Sequence, residues 1–135
     1  MTVVECVVLD LPTISDARGL LTVVERGGPL PFAVERIFWV YGLTEGVARG
    51  SHAHHTLEEF VVCVGGALEV EVDDGRERQT LRLDRPSAGL YLPPRVWRTL
   101  RALSAETIYV VLASGPYAEA DYIRDYSAYL AAGAS

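Results

Sequence analysis

The stretch Gly46-Val47-Ala48-Arg49-Gly50-Ser51-His52-Ala53-His54-His55-Thr56-Leu57-Glu58-Glu59-Phe60-Val61-Val62-Cys63-Val64-Gly65 decides how this chain folds. It holds all three histidines of the protein, His52, His54 and His55. It then runs straight into the apolar segment Glu59 to Val64, which reads as a buried strand. In an extended strand, side chains two apart share a face. His52 and His54 are therefore expected to point into one space, with His55 turned away. Solvent-facing histidines in a polar loop are the competing reading, and the apolar strand that follows argues against it.

On either side of this stretch, short β-type runs are separated by turn signals. Thr2 to Leu9, Leu20 to Glu25, Arg36 to Leu43, Leu68 to Asp73, Gln79 to Leu83, Leu90 to Leu92, Val96 to Leu103 and Thr107 to Ala113 all fit strands. Gly65-Gly66 and Asp73-Asp74-Gly75 read as hairpin breaks. Pro29, Pro31, Pro86, Pro93 and Pro94 punctuate the rest. Only the C-terminus has helical spacing, from Asp121 to Ala132, through Tyr122, Tyr126, Tyr129 and Leu130, with Asp121 as the expected N-cap. Roughly nine short strands and a terminal helix predict an all-β sandwich or small barrel.

Composition bounds the function. The 135 residues suffice for one domain spanning 1–135, and half are apolar, which excludes a disordered chain. No apolar run approaches the ~20 residues of a membrane helix, so no membrane partner is expected. The first ten residues are apolar but carry acids and no basic lead. They read as a strand and not a signal peptide, which gives a cytoplasmic expectation. Cys6 and Cys63 sit among valines and are expected as buried free thiols. A net charge of −6 argues against nucleic acid as a partner. All twelve basic residues are arginine. That excludes Schiff-base lysine chemistry and a P-loop lysine, and leaves any anionic ligand to arginine, which suits phosphate by bidentate contact.

The spacing of Gly46, His52, His54, Glu58 and Gly65 resembles the first motif of the cupins: glycine, five residues, His-x-His, three residues, glutamate, six residues, glycine. The resemblance implies a cupin jelly-roll β-barrel with a short C-terminal helix. Many cupins add a later histidine and bind a divalent metal. Here the matching segment reads Leu92-Pro93-Pro94-Arg95-Val96-Trp97-Arg98, with no histidine, so no metal is expected. A residual metal at His52, His54 and Glu58 stays open.

A narrower resemblance covers the whole chain. Asp16-Ala17-Arg18-Gly19, Glu25, Pro31-Phe32, Arg36 with Phe38-Trp39-Val40-Tyr41, Arg49-Gly50-Ser51-His52-Ala53-His54, Gly89-Leu90-Tyr91, Pro93 to Trp97, Ser114 with Tyr117, and Asp121-Tyr122-Ile123-Arg124 resemble the nucleotide-sugar 3,4-ketoisomerases. These are metal-free cupins acting on dTDP-4-keto-6-deoxyglucose. The resemblance implies an isomerase of deoxysugar biosynthesis without a cofactor, and a homodimer in which strands pair across subunits. An apolar N-terminal strand such as Val3 to Leu9 suits that exchange, and pairing within the monomer explains it equally. His55 and Glu59 stand where lysine and glutamine are expected, and spacing alone does not place Glu59.

The chemistry can be reasoned separately. A 4-keto sugar has an acidified C–H at C3. Removing that proton gives an enediolate, and returning a proton to C4 leaves a 3-ketone without any redox cofactor. The reaction needs a base, a proton shuttle between oxygens and support for the enediolate. His52 and His54 can supply the first two, since imidazole both takes and gives protons near neutral pH. Arg49 can support the charge, and Tyr41 is a helper at the oxygens. Which histidine moves the carbon proton is open. For the nucleoside diphosphate, Arg18, Arg36, Arg49, Arg95 and Arg98 are the expected binding residues, with Trp97 and Tyr91 as aromatic surfaces and Trp39 as a third, and the Arg18-Gly19 element is expected close to the sugar. Three rivals stay open: a dTDP-sugar 3,5-epimerase, a metal-dependent cupin enzyme and a non-catalytic nucleotide-sugar-binding module. The configuration at C4 of the product is also open.

Overall fold

Alternation along Leu68–Asp73 sets the pattern of the whole molecule: Leu68, Val70 and Val72 are fully buried while Glu69 and Glu71 are partly exposed. The computed structural model describes residues 1–133. Its strands are β1 (Val8–Asp10), β2 (Thr13–Asp16), β3 (Gly19–Thr22), β4 (Arg36–Val40), β5 (Ala48–His54), β6 (Glu59–Gly65), β7 (Leu68–Asp73), β8 (Arg78–Leu83), β9 (Ala88–Leu92), β10 (Trp97–Ala102), β11 (Ile108–Ala113) and β12 (Tyr122–Ile123). One helix follows, α1 (Tyr126–Ala131).

Two five-stranded antiparallel sheets face each other, in the orders β1-β9-β6-β11-β4 and β12-β5-β10-β7-β8. This is the expected cupin jelly roll. Between the sheets, Val61, Cys63, Leu90, Leu92, Tyr109 and Val111 pack against Val70, Val72, Leu83 and Leu100. β6 is buried on both sides, which is why its sequence is a continuous apolar run. Phe60 and Val62 on its outer side lie under Leu11, Val24, Leu30 and Phe32. β9 pairs with β6 in this covered sheet and leaves no room beside it at Gly89: a Cβ there would lie 2.4 Å from Phe60 Cε2 and 2.8 Å from the Val61 carbonyl oxygen.

Three sequence expectations change. The run Thr2 to Leu9 is not one strand. Val3–Glu5 forms a 3₁₀ turn, because the buried Asp74 carboxylate accepts from Val3 N at 3.0 Å, and only Val8–Asp10 pairs, with β9 of the same chain. The expected strand Leu20 to Glu25 is the second arm of a hairpin, β2–β3, turned by Asp16-Ala17-Arg18-Gly19 and paired with neither large sheet. The expected helix Asp121 to Ala132 is shorter. Tyr122 and Ile123 pair with His54 and Ala53 on the free edge of β5, and Asp125 is the N-cap instead of Asp121, accepting from Ala128 N at 3.3 Å. Cys6 and Cys63 are buried free thiols, as expected.

Gly89→Ala forces a methyl group into Phe60 and the Val61 backbone. Overpacking of this kind costs about 1–3 kcal/mol. Urea unfolding of the variant should show a lower midpoint at unchanged slope, and an unchanged midpoint would contradict the packing described.

Candidate active site

The two sheets diverge at one end around an open cavity of about 600 Å³. β4, β5, β10 and β11 form most of its wall, and Tyr122 and Arg124 close one side. β5 carries a bulge that shapes it. Arg98 of β10 faces His52, but Leu100 faces Arg49, so three steps on β5 oppose two on β10. Gly50, at φ +89, takes up the extra residue, and a Cβ there would meet Leu100 Cδ1 at 2.8 Å. In a regular strand Arg49 and His52 would point to opposite faces. The bulge shifts the parity, and both line the cavity.

His52 lines the cavity, and His54 lies fully buried behind it. Their Nε2 atoms are 3.1 Å apart, with the rings edge-on and their centroids 4.7 Å apart. The Tyr122 ring packs against both, at 4.8 and 4.4 Å. Beneath the pair lies an ion pair sealed from water. Arg98, 1% exposed, donates from Nη1 to Glu59 Oε1 at 2.7 Å and from Nε to the Val96 carbonyl at 3.1 Å. Glu59 Oε1 is 3.7 Å from His54 Nε2. On the far side of His54, Asp121 Oδ2 lies 3.3 Å from Nδ1.

Burial, and next the Arg98 cation, push the proton affinity of both imidazoles down, His52 to about 2 and His54 to about 3. Both are therefore neutral at neutral pH. Burial raises the Glu59 carboxyl and Arg98 opposes that. Burial also raises the Tyr109 phenol, which Arg49 opposes from the cavity wall. At the mouth, exposed Arg124 stacks over Tyr122, 4.0 Å from the ring centre, and Trp39 lies 62% exposed.

Of the residues singled out from sequence, Arg49, His52 and Arg98 line the cavity, Trp39 joins them, and His54 supports His52 from behind. The others lie elsewhere. Tyr41 follows β4 and is exposed. Arg36 lines a separate cavity of about 350 Å³ behind His54 and Tyr122, its guanidinium between the rings of Phe38 and Tyr117. Tyr91 donates to Glu58 at 2.6 Å on the outer side of its sheet, beside Phe32. Trp97 packs against Tyr126 and Tyr129 of α1. Arg95 turns out through a left-handed φ of 65, its N–H donating to the His54 carbonyl. Arg18 and Gly19 sit at the exposed β2–β3 turn, where Arg18 pairs with Asp16. His55, one residue beyond β5, is exposed.

Glu59, Tyr109, Tyr122, Arg124 and Asp121 join the site without having been chosen from sequence. The closing Asp-Tyr-Ile-Arg segment carried a signal for two of them, since its alternation sends Tyr122 and Arg124 to one side. Glu59, and not Glu58, converges with the histidines: ligand atoms of His52, His54 and Glu59 lie within 4.8 Å of one another. That donor set does not fit a free metal site, because the Arg98 guanidinium already occupies the carboxylate.

The chain matches known proteins along most of its length. Residues 4–133 match the family model described as FdtA: WxcM-like, C-terminal. The chain is 39% identical over 119 residues to the TDP-4-oxo-6-deoxy-alpha-D-glucose-3,4-oxoisomerase of Aneurinibacillus thermoaerophilus, covering 88% of this chain and 86% of that one. It superposes on a 3,4-ketoisomerase from Helicobacter canadensis with a TM-score of 0.91 at 34% identity, covering 95% and 96% of the two chains. A histidine-to-asparagine mutant of the 3,4-ketoisomerase QdtA from Thermoanaerobacterium thermosaccharolyticum, in complex with TDP-4-keto-6-deoxyglucose, matches with a TM-score of 0.90 at 30% identity, covering 94% and 92%.

The depressed histidines predict a pH dependence of stability. Both bind protons more weakly folded than at the ordinary value of 6.5, so below 6.5 the unfolded chain takes up protons that the folded one refuses. Their contribution is complete above pH 6.5 and is lost as the pH falls from there toward 3. The limit is about 1.4 kcal/mol per pH unit for each histidine. Unfolding midpoints measured from pH 7.5 to 4.5 should fall more steeply for the native chain than for the His52→Gln/His54→Gln double variant; parallel curves would contradict the neutral, buried pair.

Proposed function

The chain belongs to the FdtA family, and from that membership and the cavity we propose that it is a nucleotide-sugar 3,4-ketoisomerase, converting dTDP-4-keto-6-deoxyglucose to a dTDP-3-keto-6-deoxyhexose. The observation that carries the reading is the pair of neutral, edge-on imidazoles in Nε2–Nε2 contact at the base of an arginine-lined cavity.

His52 lines the cavity and is the group assigned to carbon. It takes the C3 proton; the C3–H electrons form the C3–C4 double bond, and the C4 carbonyl electrons move to its oxygen. The proton on the C3 oxygen passes to the C4 oxygen, and the imidazolium returns a proton to C4 as the C3 oxygen becomes a ketone. Protons and electrons balance without a redox partner. His54, in hydrogen-bond range of His52, shares the charge of the transient imidazolium. A free imidazole so hard to protonate is a weak base in the empty cavity. The negative charge growing on the enediolate raises its affinity at the moment of transfer. Arg49 and Arg98 border the same space and stabilise that charge. Arg49 and Arg124 at the mouth are suited to the diphosphate, and Trp39 to the thymine face.

The functional unit in this reading is one cupin domain over residues 1–135, acting in the cytoplasm as a homodimer. Two free buried cysteines suit a reducing compartment. Of the segment Val3 to Leu9 only Val8 and Leu9 join a strand, paired on one side with β9, while the β2–β3 hairpin pairs with neither large sheet and is the segment this reading offers for exchange: Ile14, Leu20 and Leu21 on it are 62%, 76% and 56% exposed.

Proton NMR of dTDP-4-keto-6-deoxyglucose mixed with the protein in D₂O tests the reaction and reports the C4 configuration. The expected result is a 3-keto product with deuterium at the carbon that was C4. Label at C3 and C5 would make the protein an epimerase, and binding without turnover a non-catalytic module. His52→Asn should lower turnover by at least ~10²-fold and His54→Asn by at least ~10-fold, in the range of lost general acid–base groups; smaller losses in both would remove the histidines from the mechanism.

A further inference from the structure

Asp121 lies outside the cavity, yet its carboxylate is held in place by groups that can only give it hydrogen bonds in this arrangement. Oδ1 accepts from Thr56 N at 3.0 Å and Thr56 Oγ1 at 2.7 Å, and Oδ2 accepts from Leu57 N at 3.0 Å. The backbone is tied as well, since His55 N donates to the Asp121 carbonyl at 2.9 Å. So fixed, Oδ2 stands 3.3 Å from Nδ1 of His54, a side chain with no exposed surface. Nδ1 is buried and has no well-aligned hydrogen bond, so this carboxylate oxygen is the acceptor a small ring rotation would engage.

From this arrangement we infer that Asp121 is a positioning residue that fixes the tautomer of the whole histidine pair. The inference rests on the ketoisomerase reading only for its kinetic consequence. A neutral imidazole carries one N–H, and a carboxylate can only accept. Placing a lone pair of Nδ1 against Oδ2 would set two electron-rich atoms together in a buried site, where such a clash is costly. The proton of His54 therefore sits on Nδ1. The other arrangement, with the proton on Nε2, could donate to His52 Nε2 at 3.1 Å but would leave the Nδ1 lone pair against the Asp121 carboxylate, and Glu59 Oε1, at 3.7 Å and already held by Arg98, does not compensate for that. With Nδ1 protonated, His54 Nε2 carries a lone pair and faces His52 Nε2 at 3.1 Å. Two facing lone pairs repel, so His52 must donate there. The resting order is then His52 Nε2–H to His54 Nε2, and His54 Nδ1–H to Asp121. Nδ1 of His52 is left as the unprotonated nitrogen that accepts a proton from substrate.

The charged groups around His54 agree with this order. Arg98 and Arg36 both disfavour imidazolium, so a neutral ring needs a fixed orientation more than a counter-charge. The same carboxylate then faces the N–H through which positive charge is relieved when His52 takes up a proton.

Histidine ¹⁵N NMR of the labelled protein reads the tautomer directly and needs no substrate. The expected result is His54 protonated at Nδ1 and His52 at Nε2. In Asp121→Asn, the amide orientation that keeps its oxygen on the Thr56 N–H and hydroxyl gives up the Leu57 N–H bond and turns an N–H toward His54, which should reverse both tautomers. Turnover should then fall at least ~10-fold in kcat with KM for the nucleotide sugar within ~3-fold, as expected for an acid–base group held in the wrong tautomer. Thr56→Val, which removes one hydrogen bond to the carboxylate but leaves its charge and its backbone N–H donors in place, should keep the native tautomers. Finding His54 of the native protein protonated at Nε2 overturns the inference, as does a folded Asp121→Asn variant with native tautomers and native kcat. If the native protein shows the expected tautomers but does not turn over dTDP-4-keto-6-deoxyglucose, the functional reading fails and the tautomer assignment stands.

Discussion

Arg98 and Glu59 form an ion pair inside the barrel, at 2.7 Å and almost without solvent contact. Two charges removed from water are tolerated only when each is matched and its remaining hydrogen bonds are met. Here Arg98 also donates to the Val96 and Pro93 carbonyls, at the bend that leads into β10. Removing either partner would leave the other charge unpaired, a cost of about 3–5 kcal/mol in comparable sites. The pair forms the floor on which the two imidazoles rest, and its cation is the second cause, after burial, of their low proton affinity.

That floor organises the chemistry above it. A site with a free carboxylate and two imidazoles is a metal centre in waiting. A site whose carboxylate is already matched by a guanidinium is an acid–base centre held neutral by its surroundings. Substrate charge changes the balance: a developing enediolate draws a proton toward imidazole, and Arg49 and Arg98 limit the charge that accumulates. The relatives that match this chain at 30–39% identity carry 3,4-ketoisomerase or oxoisomerase names. The 3′-monoepimerase ChmJ from Streptomyces bikiniensis matches at 23% identity and a TM-score of 0.74, a likeness of fold alone.

How much of this was legible in the sequence depended on whether local pattern or long-range pairing decided it. The face shared by His52 and His54 follows from strand period, and the buried run after them from composition. Arg49 is different: period 2 puts it on the wrong face, and only the bulge at Gly50, visible through pairing with β10, returns it to the cavity. Glu58 and Glu59 are adjacent and chemically alike, so motif spacing favoured the first. The strand turns Glu58 toward Tyr91 outside and Glu59 inward to Arg98. Asp121 looked like a helix cap because the aromatic residues after it have helical spacing. The free edge of β5 outcompeted that preference for Tyr122 and Ile123, and freed the carboxylate to face His54. Trp97 was read as a ligand surface, but it packs against α1, an element whose docking nothing local in the sequence foretold.

The central claim is that a buried guanidinium and exclusion of water keep His52 and His54 neutral far below the ordinary range of histidine. The pH dependence of kcat/KM for dTDP-4-keto-6-deoxyglucose tests it most directly, because it reports groups of the free enzyme. With the pair at about 2 and 3, kcat/KM should show no acid limb near 6.5 and stay level down to about pH 5 in a protein still folded there. A fall of about tenfold per pH unit beginning near 6.5 would show an ordinary, titrating histidine at the centre of the reaction and would contradict the account.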